Sequence, residues 1–175
     1  MDGIKRAYRD KELKAGHFSN FVFGVEDSVV STVGLLSGIA IAGVPNRTIL
    51  VSGVILILVE AFSMAIGSFL SEYSEEEYLS GRESFSARSL VDGSIMFFSY
   101  FVSGFVPLFP YVLFGGNQAF WISIFVSLIT LFCLGVTSAR FSRTHVIRSG
   151  IRMFLIGGFA IAVGVFTGSL LNSRF

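Results

Sequence analysis

Cysteine, histidine, proline and charge are all scarce in this chain, and each scarcity closes off a class of function. The one cysteine, Cys133, excludes an intramolecular disulfide and a Cys-x-x-Cys metal knuckle. The two histidines, His17 and His145, are isolated from one another, so no His/Cys metal cluster can be assembled and both read as interfacial residues. Charged residues are 14% of the 175 positions and the formal net charge is +1, which provides no basic surface for nucleic acid. No nucleophile sits with a base and no phosphate-binding loop is present, so the chain reads as neither an enzyme nor a cofactor carrier.

Apolar residues fill the space instead. They make up 53% of the chain, and the mean hydropathy is +0.73. That is outside the range of an ordinary soluble domain and points to a chain that lives in a lipid bilayer. A helix needs roughly 20 mostly apolar residues to cross a hydrocarbon core of about 30 Å. Five stretches qualify, near 19–42, 48–71, 92–114, 118–139 and 150–171. "GVPNR" and "FGGNQ" punctuate the first two and the third and fourth as tight helical hairpins. The expected fold is an all-α integral membrane bundle of five helices forming one domain over 19–171. An amphipathic segment over 1–18 precedes it and lacks the apolar core of a signal peptide.

Basic residues orient such a bundle, because cytoplasmic loops are enriched in them. With a cytosolic N-terminus, Lys5, Arg6, Arg9, Lys11, Lys14, Arg82, Arg88, Arg140, Arg143, Arg148 and Arg152 all lie inside. Only Arg47 and Arg174 lie outside. The N-terminus is therefore expected in the cytosol, with residues 1–18 as a surface helix.

Three carboxylates fall within the apolar runs: Glu26, Asp27 and Glu60. A charge at the bilayer centre costs about 2.5 to 3.5 kcal/mol on insertion scales, so such groups usually face a bundle interior or a wet cavity. Counting along the first span puts Asp27 about 12 Å deep, and counting back from Ser71 puts Met64 about 10 Å deep. The two are expected at one level, with Glu60 one turn beyond Met64 on the same face. Carboxylates with a thioether suit Fe²⁺ or Mn²⁺ better than Mg²⁺ or Ca²⁺. A carboxylate can also carry a proton when no metal is bound, which opens a route to proton exchange. The competing reading is that Glu26 and Asp27 only hydrogen-bond between helices and that Met64 fills a core.

Other features have two readings each. Asn20, Gly24, Asp27, Ser31, Gly34 and Gly38 give the first helix a small, polar face, and Gly34 with Gly38 forms a GxxxG pair. The pair is expected to join two copies of the chain in a dimer, with packing within one subunit as the alternative. The linker near 72–91 carries Glu72, Glu75, Glu76 and Glu77, which read as a solvated face or as a cation vestibule; Glu83 follows them. Ser74 and Glu77 have capping-box spacing, so a short helix or helix extension is expected there. Asp92 is expected to cap the third helix, and Pro107 and Pro110 to kink or unwind it.

"GVEDSVVSTVGLLSG", "EAFSMAIGSFLSE", "VSGFVPLFPYVLF" and "LGVTSARFSRTHVIRSGIRMFLIGGFAIAV" resemble, in order, four segments of the vacuolar iron transporter family. The resemblance implies a homodimer of five-span subunits that exports Fe²⁺ or Mn²⁺ from the cytosol by proton exchange. It matches Asp27 and Met64 to that family's first-helix aspartate and second-helix methionine. It implies a cell membrane location in a prokaryote and a vacuolar or other endomembrane location in a eukaryote. Three departures stand out. Asn20 replaces a second acidic residue, Glu60 sits one turn closer to the methionine, and the long cytosolic metal-binding domain is reduced to residues 72–88. The reading from a different class is a non-transporting membrane protein of assembly or metal sensing.

Overall fold

The computed structural model describes residues 2–81 and 87–173, with the side chains of 2–10, 12 and 80 left aside. Arg82, Glu83 and Arg174 lie outside the described residues, as do the side chains of Lys5, Arg6 and Arg9. Five helices follow one another, α1 (Asp2–Ile41), α2 (Asn46–Ser80), α3 (Ala87–Leu113), α4 (Gly116–Phe141) and α5 (Val146–Asn172). There is no strand among the described residues. All five are long and apolar enough to cross a membrane. The chain is an all-α, multi-pass membrane protein.

Short turns force the helices to alternate in direction, so the start of α1, the α2–α3 connection and the α4–α5 turn share one end of the bundle. Glycine makes two of the turns possible: Gly43 (φ 75°) after α1 and Gly116 (φ 57°) at the start of α4 take backbone angles that other residues avoid. Gly81 (φ 64°) closes α2, its N–H donating to the Glu77 carbonyl.

α1 is the hub. It packs against α3, α4 and α5, whereas α2 leans chiefly on α3. Two apolar clusters hold these elements: Leu36, Ile49, Ile57, Leu108 and Tyr111 toward the α1–α2 turn, and Val29, Leu131, Leu134 and Met153 across α1, α4 and α5. A hydrocarbon solvent gives little drive for apolar side chains to associate, so close backbone approach matters more here than in a soluble core. A Cβ on Gly38 would lie 2.8 Å from the Gly164 carbonyl oxygen, and side chains on Gly164 and Gly168 would collide with the carbonyls of Gly34 and Gly38. The Gly34/Gly38 pair is thus occupied by α5 of the same chain. This corrects the expectation that it joins two copies, because spacing alone does not identify the partner helix.

One more expectation changes and three are narrowed. α1 runs unbroken from Asp2, so the N-terminal segment continues without a break into the apolar span that starts at Leu13. α2 continues to Ser80, so the Ser74/Glu77 capping box is not used and the acidic stretch is a helix extension. Asp92 sits in the second turn of α3 rather than at its cap, since α3 starts at Ala87. α3 stays helical through Pro107 and Pro110 and is not unwound there, and Ser123 Oγ on α4 donates to the Pro107 carbonyl at 2.6 Å.

Candidate functional site

The polar face of α1 meets two different environments on its neighbours. Nearest the N-terminal end, Asp92 of α3 points into α1 with its side chain 1% exposed. His17 Nδ1 lies 2.7 Å from Asp92 Oδ1, and Asn20 Nδ2 donates to the same oxygen at 2.9 Å. Arg88 reaches toward Asp92 Oδ2 at 3.8 Å and pairs with Glu72 of α2 at 3.2 Å. A buried carboxylate is costly unless its charge is matched and hydrogen-bonded, and here α1 bonds one oxygen while Arg88 lies near the other. His17 is therefore a partner of Asp92, not an isolated interfacial residue.

Beside this network lies a cavity of about 280 Å³, lined by Asn20, Phe23, Met64, Ser68, Glu72 and Met96, among others. Asn20 binds Asp92 through its amide nitrogen, so the carbonyl oxygen is the end left to the cavity. Met96 is 3% exposed, and its sulfur would sit 3.2 Å from a Cβ at Gly24. That glycine is what lets α3 bring the thioether against α1.

One turn or more further along α1, the setting is different. Tyr100 is fully buried. Ser28 Oγ donates to its backbone carbonyl at 2.6 Å, and its hydroxyl lies 2.7 Å from Ser31 Oγ. Asp27 immediately precedes Ser28 in sequence and is half-buried, with Glu60 of α2 as its charged neighbour; both act on Tyr100. Glu26 has Arg152 of α5 as its first charged neighbour and Asp27 as its second. Among the described residues, none of Glu26, Asp27 and Glu60 has a hydrogen bond or an ion pair within 4.0 Å.

Asp27 thus has Glu60 as an electrostatic neighbour, while Glu26 feels Arg152 first and Asp27 second. Met64 shares its cavity with Phe23 and Asn20, not with Asp27, so the α1–α2 register is displaced by about one turn from the one expected. The count from the helix ends failed because both helices overrun the apolar runs, α1 with 40 residues and α2 with 35. In the acidic stretch, Glu75 and Glu77 are exposed, while Glu72 and Glu76 are half-buried and Glu72 belongs to the Arg88 network. Sequence reasoning missed Met96 and the His17–Asp92 pair. A methionine inside an apolar run carries no signal of its own.

Among the described residues, no group of three or more His, Cys, Asp or Glu side chains forms a compact metal cluster. The donors present are a carboxylate pair and, toward the N-terminal end of α1, two thioethers with an amide and a carboxylate.

A family model described as the VIT family matches residues 18–90 and 80–169. Vacuolar iron transporter homolog 1 of Oryza sativa subsp. japonica is 30% identical over 181 residues, covering 92% of this chain and 74% of the rice protein. The matched segments take in the α1 and α2 carboxylates, Met64 and the α3 and α5 segments described above. The chain belongs to the VIT family of vacuolar iron transporters, which are transporters and not enzymes.

Proposed function

We propose that this chain carries Fe²⁺ or Mn²⁺ out of the cytosol in exchange for protons, along a path between α1 and α2. The observation that carries the reading is the Asp27–Glu60 pair: two neighbouring carboxylates within membrane spans, half-open, with no bond to another described side chain. Purely structural carboxylates in hydrocarbon would be expected to have partners, as Asp92 has. The cavity with Met64, Met96, Asn20 and Glu72 lies on the N-terminal side of that pair. Metal arriving there would meet soft thioether and hard oxygen donors before the carboxylates, a mixture that suits Fe²⁺ or Mn²⁺. Either carboxylate can take a proton on the return. Glu75 and Glu77, exposed beyond the cavity, would raise the local cation concentration.

The clustering of arginines at the end that holds the N-terminus supports a cytosolic N-terminus. The open face of α2, where Val59, Phe62 and Ile66 are exposed beside Glu60, is the surface on which a homodimer would close the path. The test is flux into liposomes reporting through a metal-quenched dye, with and without a pH gradient. Gradient-dependent quenching by Fe²⁺ or Mn²⁺ is expected. No quenching by either ion in folded protein would leave the assembly or sensing reading in its place.

A further inference from the structure

The α4–α5 edge has chemistry that metal transport does not use. At the end of the bundle that holds the N-terminus, a groove of about 970 Å³ runs between these helices. Arg148 and Arg152, four residues apart and so stacked on one helix face, line it together with His145 and the hydroxyl residues Ser142 and Thr144. Further along α5 the lining becomes Leu155, Ile156 and Phe159. Among the described residues, no Asp or Glu lines it. The groove's base is firm, because α4 and α5 touch through backbone: a Cβ on Gly135 would lie 2.7 Å from the Ser149 carbonyl.

Arg148 and Arg152 are exposed, and neither has an ion pair within 4.0 Å among the described residues; Arg152 feels Glu26 only at longer range. Two guanidinium groups at the water end of a membrane-spanning helix, followed by an apolar wall along the same helix, reproduce the polarity of one phospholipid. The headgroup phosphate meets the arginines and the acyl chain lies on Leu155 and Phe159. The groove between α1 and α3 offers a contrast. It is lined by Phe21, Val25, Phe98 and Val102 with only serines for polarity, so it can hold acyl chains without choosing a headgroup.

We propose that the α4–α5 groove is a binding site for an anionic phospholipid, selected through its phosphate by Arg148 and Arg152. Basic pockets between transmembrane helices on the cytoplasmic side are suited to this chemistry, and arginines near the surface each contribute measurably. The proposal is independent of the transported ion.

The sequence supplies its own control. Arg140 and Arg143 lie at the same end of the bundle and carry the same charge, but do not line the groove. Full-length protein in mild detergent is titrated with phosphatidylglycerol or phosphatidylcholine, and retained lipid is read by native mass spectrometry. Wild-type protein is expected to retain phosphatidylglycerol in preference to phosphatidylcholine. The double variant Arg148→Gln/Arg152→Gln lowers the apparent affinity for phosphatidylglycerol about tenfold to thirtyfold, the loss expected for two surface arginines. Arg140→Gln/Arg143→Gln leaves it at the wild-type value. The single variant Arg148→Gln, which keeps Arg152 and its longer-range attraction to Glu26, gives a partial loss and stands in if the double variant does not fold. Equal losses from the two pairs would mean a diffuse basic surface and overturn the proposal. So would equal retention of the two lipids, no loss in Arg148→Gln, or displacement of phosphatidylglycerol by millimolar inorganic phosphate, which would indicate a free-anion site.

Discussion

Asp27 and Asp92 are both carboxylates facing α1's polar surface, yet they live under opposite conditions. Asp92 is sealed among three helices, with His17 and Asn20 on one oxygen and Arg88 near the other. Asp27 is half-open, its nearest charged neighbour is another carboxylate, and it has no bond to a described side chain. The difference separates two uses of charge in a membrane. A buried charge with matched partners fixes how helices meet, and its removal leaves those partners stranded. A charge left open raises the free energy of the empty protein, and a bound cation or proton can lower it again. Asp92 belongs to the scaffold and Asp27 to the proposed path.

The sharpest way to break this comparison is to exchange the expected phenotypes. Asp92→Ala strands the two α1 donors and takes one of Arg88's carboxylate neighbours, and should cost about 3 to 5 kcal/mol of stability, as for other broken buried pairs. Thermal unfolding in detergent measures it. A melting temperature equal to wild type would remove Asp92 from the scaffold.

Gly38→Leu comes next. If Gly38 packs on Gly164 of its own chain, the larger side chain forces α1 from α5 and costs about 1 to 3 kcal/mol of overpacking strain. Loss of folded yield is expected. A folded monomer appearing in place of a dimer would return the glycine pair to the contact between copies.

Much of the architecture was legible in the sequence. Five apolar runs separated by Gly, Pro and Asn gave the helices, and alternation of direction follows from short turns. Asp27 and Glu60 were legible for a related reason: an acid in an apolar run has a large transfer cost and stands out. Asp92 was not. Near a helix start an aspartate reads as a cap, and only the actual start at Ala87 shows it to be internal. The α1–α2 register escaped as well, since hydropathy marks where hydrocarbon begins but not where a helix ends, and both helices continue past it. The GxxxG pair was recognisable as a site of close approach, but the partner helix depends on tertiary packing that a single sequence does not contain.

Smaller effects sharpen the path side of the comparison. Met64→Leu preserves volume and removes the sulfur, so apparent Fe²⁺ affinity should fall about tenfold, the scale of losing one metal-tuning group, with folded protein unaffected. Flux against metal concentration reads it; an equal change in a Mg²⁺ leak would make Met64 packing only. The smallest effect belongs to Glu75→Gln/Glu77→Gln. Exposed charges act through a field screened over about 8 Å at physiological ionic strength, so the apparent KM should rise about twofold to threefold with the maximal rate intact. Added salt should reproduce that rise in wild type. A lost maximal rate would instead make one of the two a ligand of the path.

The most direct measurement is Fe²⁺ flux into liposomes for Asp27→Asn, made on the same preparation whose melting temperature is recorded. Asparagine keeps the size and polarity of aspartate but removes the charge and exchanges one acceptor oxygen for an N–H donor. The account predicts flux reduced about a hundredfold, at the upper end of losses from altered metal sites, with the melting temperature unchanged. Wild-type flux through folded Asp27→Asn protein would contradict it.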